Sequence, residues 1–272
     1  MIIDFHTHIF PDAIAGRSIE VLKNGMLRAS GRVYPEHNDG TLAGLKRLMD
    51  ATGVDISVVL PIATREKQTE SINQFAYKVT AENNGKVISF GSLFPFQKDA
   101  CDVLKRLYEQ GFKGIKLHPE FQNFEVDSKV SINILKQAEE LGMMVVVHAG
   151  KDFGFTTPPK CSPKALGNVL SEVSGKYIIA AHLGGFEMWD DVYRYLVGTE
   201  IYLDTACLSL LIQDDDYRKI IMDHGSDKIL FGSDNPWESP ADTLKKLKGL
   251  NLPEADMENI LHKNAERLLF DA

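Results

Sequence analysis

Short apolar runs recur along the chain and alternate with longer amphipathic segments. Most of these runs are nearly continuous in Val, Ile, Leu and Phe, a pattern typical of strands that are buried on both faces in a parallel sheet. Eight such runs span residues 2–6, 54–62, 87–94, 114–118, 143–148, 177–182, 201–205 and 229–232. The pattern therefore predicts a parallel sheet of eight strands.

The segments between the runs carry apolar residues at helical spacing. Cap residues precede several of them, and a glycine such as Gly53 or Gly142 follows. These are the residue types expected at the two ends of helices. The predicted helices span residues 39–52, 69–84, 98–110 and 128–141, a segment that begins at Ser162-Pro163, and residues 186–197, 215–224, 239–248 and 254–270.

Eight strands alternating with helices predict an α/β protein, a (β/α)8 TIM barrel formed by one domain over residues 1–272, since such a barrel needs about 250 residues. An open doubly wound sheet is the alternative, but it normally uses fewer strands, and no glycine fingerprint opens the first helix. The longest connection, residues 9–38, is rich in Gly, Pro and Asn. A connection of this length predicts a lid or a binding element.

The composition narrows the classes of partner. The net charge is −8 and no basic run is present, which argues against nucleic acid as a main partner. No stretch approaches the ~20 apolar residues of a membrane span, so no membrane partner is expected. The three cysteines, scattered and without a CxxC pair, predict reduced thiols. No secretory signal is recognisable at the N-terminus, and a cytoplasmic location is therefore expected.

Histidine and aspartate stand where the apolar runs end. His6 and His8 lie at the end of the first run, His148 and His182 end the fifth and sixth, and Asp234 follows the eighth. In a barrel these strand ends converge on one mouth, where active sites lie. Packing alone does not account for such residues at so many strand ends.

The residue types suit a divalent metal ion. Neutral imidazoles and one carboxylate are ligands that favour Zn²⁺, with Mn²⁺ or Fe²⁺ as alternatives. We expect His6, His8, His148 and Asp234 to hold one ion, which lowers the pKa of a bound water toward about 7. His182 then faces the water or the substrate as general acid or base, and Asp234 can also accept the water's proton.

Several motifs carry a resemblance to a known family. They span residues 3–8, 111–119, 147–150, 181–185, 231–237 and 264–269. The chain resembles the amidohydrolase superfamily, in the amidohydrolase 2 branch that includes aminocarboxymuconate-semialdehyde decarboxylase. The resemblance implies a TIM barrel of the metal-dependent hydrolase type. It also implies the same roles for the residues named above, with His182 handling the water or substrate.

Lys116 and His118 leave alternatives open. In dinuclear relatives a lysine at the end of the fourth strand is carbamylated and bridges two metal ions, so Lys116 would imply two ions. In the mononuclear alternative, which the surrounding motifs favour, Lys116 is a plain cation that binds a substrate carboxylate. His118 can orient substrate, join the metal shell or act as a hydrogen-bonding neighbour. Trp237 and Glu120 are candidates for substrate contact. The alternative is packing in the core for Trp237 and exposure to solvent for Glu120.

Three functions follow as expectations. The first is hydrolysis of a small carbonyl compound (an amide, lactone or ester) by a metal-activated water. The second is non-oxidative decarboxylation of a small carboxylated substrate on the same metal site, and the third is a barrel that binds a ligand without turnover. A small-molecule substrate and a homodimer are expected by resemblance and base rate.

Overall fold

Parallel strands alternate with helices throughout the chain, as the apolar runs predict. The computed structural model describes residues 1–32, 34–209 and 211–271. The strands are β1 (Ile3–Thr7), β2 (Ile56–Val59), β3 (Val87–Ser89), β4 (Gly91–Ser92), β5 (Gly114–Leu117), β6 (Met144–Val147), β7 (Ile178–Ala180), β8 (Tyr202–Asp204) and β9 (Ile229–Leu230). Every strand pair is parallel and consecutive, in the order β1-β2-β3 and β4 through β9.

The sheet closes into a barrel. β3 and β4 are two pieces of the third predicted strand, separated only by Phe90. At the other seam the Phe5 N–H donates to Phe231 O at 2.8 Å, and the Asp234 N–H donates to His6 O at 2.8 Å. The first and last strands are thus hydrogen-bonded neighbours, which confirms the eight-stranded barrel and excludes the open sheet.

The helices cover the outside of the barrel. They are α1 (Ala15–Ser30), α2 (Leu42–Thr52), α3 (Thr69–Ala81), α4 (Ala100–Glu109), α5 (Pro119–Gln122), α6 (Lys129–Leu141), α7 (Pro163–Val169), α8 (Trp189–Tyr195), α9 (Asp214–His224), α10 (Pro240–Gly249), α11 (Glu254–Glu258) and α12 (Asn264–Phe270). Thr41, Ser128, Ser162 and Ser239 cap four of them, each accepting a hydrogen bond from a backbone N–H of the first turn. Among the described residues no helix has the length and apolar character needed to cross a bilayer.

Two apolar layers hold this arrangement. Side chains from β1, β2, β3, β6, β7, β8 and β9, together with Phe90, form one buried cluster: Ile3, Phe5, Val58, Ile88, Phe90, Met144, Val146, Ile179, Tyr202 and Leu230. A larger cluster lies between the strands and the covering helices. Burial on both strand faces explains why the strand sequences are apolar runs rather than alternating patterns.

The connection over residues 9–38 differs from its prediction, because α1 occupies half of it. Only Ala15 and Ile19 of this helix are buried, while Val21 and Leu27 are exposed. Ile19, Leu22 and Met26 do lie at helical spacing, so the sequence contains a helical stripe within this connection. Gly31, with φ of 70°, ends the helix in the left-handed conformation that glycine favours.

A substitution at Gly150 tests how tightly the loops pack at the rim of the barrel. Its φ is +85°, and an added Cβ would lie less than 3.0 Å from backbone atoms of Gly185 and Phe186. We expect Gly150→Ala to lower the free energy of unfolding by about 3 kcal/mol or more, measured by urea denaturation. Gly53→Ala is the matched control, because Gly53 has φ of +75° with open space around it, and about 1 kcal/mol is expected there. Equal losses in the two variants would contradict the close packing.

Candidate active site

The candidate catalytic side chains lie together at the rim where the strands end. They are His6, His8, Lys116, His118, His148, His182 and Asp234, and all except His8 are buried. His182 and Asp234 have φ of 56° and 68°, so the chain turns sharply as β7 and β9 end. A positive φ is uncommon for residues other than glycine and is found disproportionately at functional sites.

Three side chains form the first ligand group. Nε2 of His6 and Nε2 of His8 are 3.2 Å apart. Oδ1 of Asp234 lies 3.1 Å from the His8 nitrogen and 3.5 Å from the His6 nitrogen. Two imidazoles on one strand and a carboxylate from a distant part of the chain thus converge on one point.

Hydrogen bonds behind the first ligand group fix its protons. Nδ1 of His8 lies 2.8 Å from Leu60 O, and a carbonyl only accepts, so the His8 proton is on Nδ1. Nδ1 of His6 lies 2.8 Å from Asp204 Oδ2 and donates in the same way. Both Nε2 atoms therefore direct lone pairs at Asp234 Oδ1. Three electron-rich atoms this close fit a divalent cation among them.

Asp204 is a site residue that the sequence analysis does not identify. Its Oδ1 accepts hydrogen bonds from the backbone N–H groups of His182 and Ala206, at 2.8 and 3.1 Å, while Oδ2 holds His6. It is fully buried, and this burial raises the pKa of its carboxyl. Its position at the end of β8 was a signal for a site residue, as the position of His148 after β6 was. This signal was not specific, because an aspartate at the end of an apolar run also fits a turn.

Lys116 points at the first ligand group. Its side chain is 1% exposed, and Nζ lies 3.3 Å from Nε2 of His6. Burial lowers the pKa of the Lys116 amine to about 8, against the opposing effect of Asp204 and Asp234. The barrel therefore holds a cation beside the position where an ion would bind.

His182 lies between the first ligand group and His148. Its Nδ1 is 3.0 Å from Ala206 O, and its Nε2 is 3.0 Å from Nδ1 of His148. The His182 ring centroid is 5.3 Å from that of His6 and 4.7 Å from that of His148. The structure thus places His182 between the first ligand group and His148.

His148, expected as a fourth ligand of the same ion, lies in a second ligand group with His118 and Asp152. Oδ2 of Asp152 is 3.3 Å from Nε2 of His118 and 3.9 Å from Nε2 of His148. The two rings stack with centroids 4.2 Å apart. Burial is the main cause that lowers the pKa of both imidazoles well below the usual value. Asp152 lies in a loop after β6, and no strand pattern points to it.

Glu120 and Trp237 have different surroundings. Glu120 is buried rather than solvated, Oε1 accepts from the Lys160 N–H at 2.9 Å, and burial raises the pKa of the carboxyl to about 7. Its Oε2 lies 3.5 Å from Nδ1 of His118. Trp237 is half-buried, and its backbone N–H donates to Asp234 O at 2.9 Å. Through this hydrogen bond Trp237 helps to hold the turn that presents Asp234.

Aromatic rings line one side of the site and form an aromatic wall. Tyr34, from the connection after β1, stacks on Phe153 at 4.0 Å between centroids. Phe153 meets Phe186 edge-on at 4.8 Å, and Phe186 lies 5.7 Å from the His182 ring. On the other side Phe121 contacts the His118 ring at 4.5 Å. These rings offer flat apolar surface beside the polar groups.

Glu238 anchors the segment that follows Asp234. Its carboxylate accepts from Thr243 Oγ1 at 2.6 Å and from the Ser209 N–H at 3.2 Å. Glu238 is 8% exposed, and burial raises the pKa of its carboxyl from 4.5 to about 7, against the lowering effect of these hydrogen bonds. The segment thus depends on a carboxyl group whose protonation changes near neutral pH.

One protein family and several solved structures are similar to this chain. The sequence model of the family described as Amidohydrolase matches residues 3–270, and no curated protein matches the chain. Among solved structures, 5-carboxyvanillate decarboxylase LigW from Sphingomonas paucimobilis is similar with a TM-score of 0.73 and 13% identity, over 98% of both chains. For 2,6-dihydroxybenzoate decarboxylase from Rhizobium the values are 0.71 and 15%, over 100% of this chain and 99% of that one. An uncharacterized TIM-barrel protein from Bordetella bronchiseptica gives 0.75 and 18%, over 98% of both.

The raised pKa of Glu238 predicts a pH-dependent stability. Between about pH 4.5 and 7 the folded chain binds a proton that the unfolded chain releases, so stability falls as pH rises through this window. Glu238→Gln removes the ionisation, so its stability relative to the natural chain should be higher at pH 8 than at pH 5, by up to about 3 kcal/mol. Urea unfolding at the two pH values measures this, with exposed Glu20→Gln as control. An unchanged difference between the two pH values would refute the burial effect.

Proposed function

Because the chain belongs to the amidohydrolase family and is a metal-dependent enzyme, we propose that it decarboxylates a small aromatic carboxylate without oxidation. In this proposal His6, His8 and Asp234 hold one divalent ion. Zn²⁺ and Mn²⁺ both suit two imidazoles and a carboxylate. The reaction is the second of the functions expected from the sequence.

The solved structures favour decarboxylation over the hydrolysis that was the first expectation. Several similar structures are of enzymes named as decarboxylases of carboxylated aromatics. Two of them, from Polaromonas and Novosphingobium aromaticivorans, contain bound manganese together with nitro-substituted aromatic molecules. At identities of 14–17% for these two the likeness itself is one of fold, and it supports the proposal by analogy.

The observation that carries the proposal is Lys116 beside the first ligand group, in a barrel mouth that also contains the aromatic wall. A buried ammonium group 3.3 Å from His6 Nε2 supplies positive charge where an anionic substrate would reach the ion. The stacked rings of Tyr34 and Phe153 and the edge of Phe186 supply flat surface for a planar substrate. In this proposal Lys116 recognises the carboxylate of the substrate, and the aromatic wall recognises its ring.

The reaction needs no oxidant or further reactant. The bond between the ring carbon and the carboxylate breaks, its electron pair stays on the carbon, CO2 leaves, and one proton replaces it. When bound, a divalent ion attracts the anionic oxygens of the substrate and stabilises the charge that develops. Lys116 holds the substrate anion, and the aromatic wall keeps water from the reacting carbon.

His182 is positioned to move the proton. Its Nδ1 proton is held by Ala206 O, so Nε2 is the atom free to take up and release a proton. His148 Nδ1, 3.0 Å away, adjoins the same nitrogen and connects it to the second ligand group. We assign His182 as the acid that protonates the carbon, with Asp234 as a ligand.

Hydrolysis is the second candidate, since the family takes its description from that reaction. Asp234 and His182 would then take and return the proton of an attacking water. The two reactions differ in product, because only decarboxylation releases CO2 from a substrate without an ester, lactone or amide bond. The third expectation was a barrel that binds a ligand without turnover. No observation favours it, because the chain belongs to an enzyme family and its ligand residues are assembled.

A screen of hydroxylated benzoates, aliphatic acids, lactones and amides, with Mn²⁺ or Zn²⁺ added and both CO2 and hydrolysis products measured, tests the proposal. We expect CO2 from aromatic acids, and Asp234→Asn should lower kcat/KM at least about 1,000-fold because a charged ligand is lost. Asp223→Asn is the control, since Asp223 lies on α9 and accepts a hydrogen bond from Tyr193. Hydrolysis of lactones or amides without CO2 release from any acid would reject decarboxylation.

Substrate anchoring by Lys116 is tested by Lys116→Met, which keeps the length of the side chain and removes its charge. We expect KM for the carboxylated substrate to rise about 10- to 100-fold, the value of a hydrogen bond to a charged group. Steady-state kinetics at fixed metal concentration measure the change. A fall in kcat at constant KM, together with loss of bound metal, would instead indicate that Lys116 acts on the ion.

A further inference from the structure

Asp152, in the loop after β6, presents a carboxylate whose acceptor positions are only partly used. Its Oδ1 accepts a hydrogen bond from the Gly154 N–H at 2.6 Å. Its Oδ2 lies 3.3 Å from Nε2 of His118. The Asp152 side chain is 16% exposed, whereas the His118 side chain is 7% exposed. Asp152 is therefore open to a ligand that enters the barrel mouth.

The tautomer of His118 fixes one of these two contacts. The Phe121 N–H donates to Nδ1 of His118 at 3.5 Å, so a neutral His118 carries its proton on Nε2. That nitrogen donates toward Oδ2 of Asp152 and holds the carboxylate in place. A carboxylate has about four lone pairs on its two oxygens, and the contacts with Gly154 and His118 use only two of them. Asp152 thus keeps acceptor capacity for a further donor.

Two groups of aromatic rings adjoin Asp152. Phe153, the next residue, belongs to the aromatic wall and stacks on Tyr34. The Phe155 N–H donates to Asp152 O at 3.1 Å, and the Phe155 ring meets the Phe121 ring edge-on at 5.1 Å. Pockets for small organic molecules commonly combine apolar rings with a few polar groups that fix the orientation of the ligand. Asp152 is such a polar group among these rings.

His148 connects Asp152 to the side of the mouth that holds the first ligand group. Its Nδ1 lies 3.0 Å from Nε2 of His182, and its Nε2 lies 3.9 Å from Oδ2 of Asp152. Burial is the main cause that raises the pKa of the Cys207 thiol well above its usual value, and the charges of Asp234 and Asp152 both add to this effect. The two carboxylates therefore border the same part of the mouth.

The mouth thus contains the Lys116 ammonium group beside the first ligand group and the Asp152 carboxylate beyond His148. Taking the proposed function as the premise, we infer that Asp152 determines specificity: the substrate is an aromatic monocarboxylate with a hydroxyl or amino group on its ring, and Asp152 accepts the hydrogen bond from that group. Lys116 attracts the carboxylate of the same molecule. A second carboxylate on the ring near Asp152 would be repelled by its negative charge.

The affinities of matched benzoates test this inference. The full chain, loaded with Mn²⁺, is titrated by calorimetry with meta- and para-hydroxybenzoate, benzoate and terephthalate, and CO2 is followed in parallel. Affinity is taken as Kd where no CO2 is released and as KM where it is. We expect at least one hydroxybenzoate to bind about 10- to 100-fold more tightly than benzoate, the value of a hydrogen bond to a charged group. Terephthalate should bind at least about 10-fold more weakly than benzoate because of charge repulsion.

Two substitutions separate the acceptor from the charge. Asp152→Ala should remove both the preference for the hydroxyl group and the discrimination against terephthalate. Asp152→Asn retains an acceptor oxygen, for the Gly154 N–H as for the substrate, so it should keep part of the hydroxyl preference and lose the discrimination against terephthalate. Asp223→Asn is the control and should behave as the natural chain does, and all variants should bind as much Mn²⁺ as the natural chain.

Equal affinity of the natural chain for the hydroxybenzoates and benzoate, an unchanged preference in Asp152→Ala, or loss of metal from either Asp152 variant would overturn the role of Asp152. A hydroxyl preference that depends on Asp152 without CO2 release would reject decarboxylation alone. CO2 release with the same order of kcat/KM among these acids in the natural chain and in Asp152→Ala would reject the role of Asp152 alone. Absence of binding by every acid would reject both.

Discussion

The lone pairs of His6 and His8 face one carboxylate oxygen of Asp234, and the organisation of the barrel mouth depends on this convergence. Neutral imidazoles and a carboxylate would repel one another there without a positive charge. The protons are held away from the centre by Asp204 and Leu60 O. The fold thus fixes each ring so that its free nitrogen is available to a metal ion before any ion binds.

Closure of the sheet makes that convergence possible. Hydrogen bonds between the segments around β1 and β9 bring residues 6 and 234 together across almost the whole length of the chain. Asp204 then links two further strand ends, since one carboxylate holds the His6 ring and the backbone of His182. Buried polar networks of this kind are stable only when each member has a partner. A change in one of them should therefore disturb the others.

The groups around the first ligand group determine which reaction the site supports. A metal-binding barrel mouth can support many reactions, so the choice depends on the groups that contact substrate. Lys116 supplies a buried positive charge, and Tyr34, Phe153 and Phe186 supply stacked and edge-on rings. Together they suit a flat anion better than a neutral amide or lactone.

The strands, most helices and the histidines and aspartate at the strand ends were predictable, because apolar runs and strand-end positions are local patterns. α1 was missed although Ile19, Leu22 and Met26 lie at helical spacing, because the Gly, Pro and Asn residues of its connection favour a loop. Asp152 and Asp204 were missed because an aspartate in a loop or strand has no distinctive spacing. The sequence by itself determined the barrel and the ligand types. Only the tertiary structure decided that the His148 ring stacks on His118 and contacts His182, because side-chain direction and tautomer depend on contacts between distant segments.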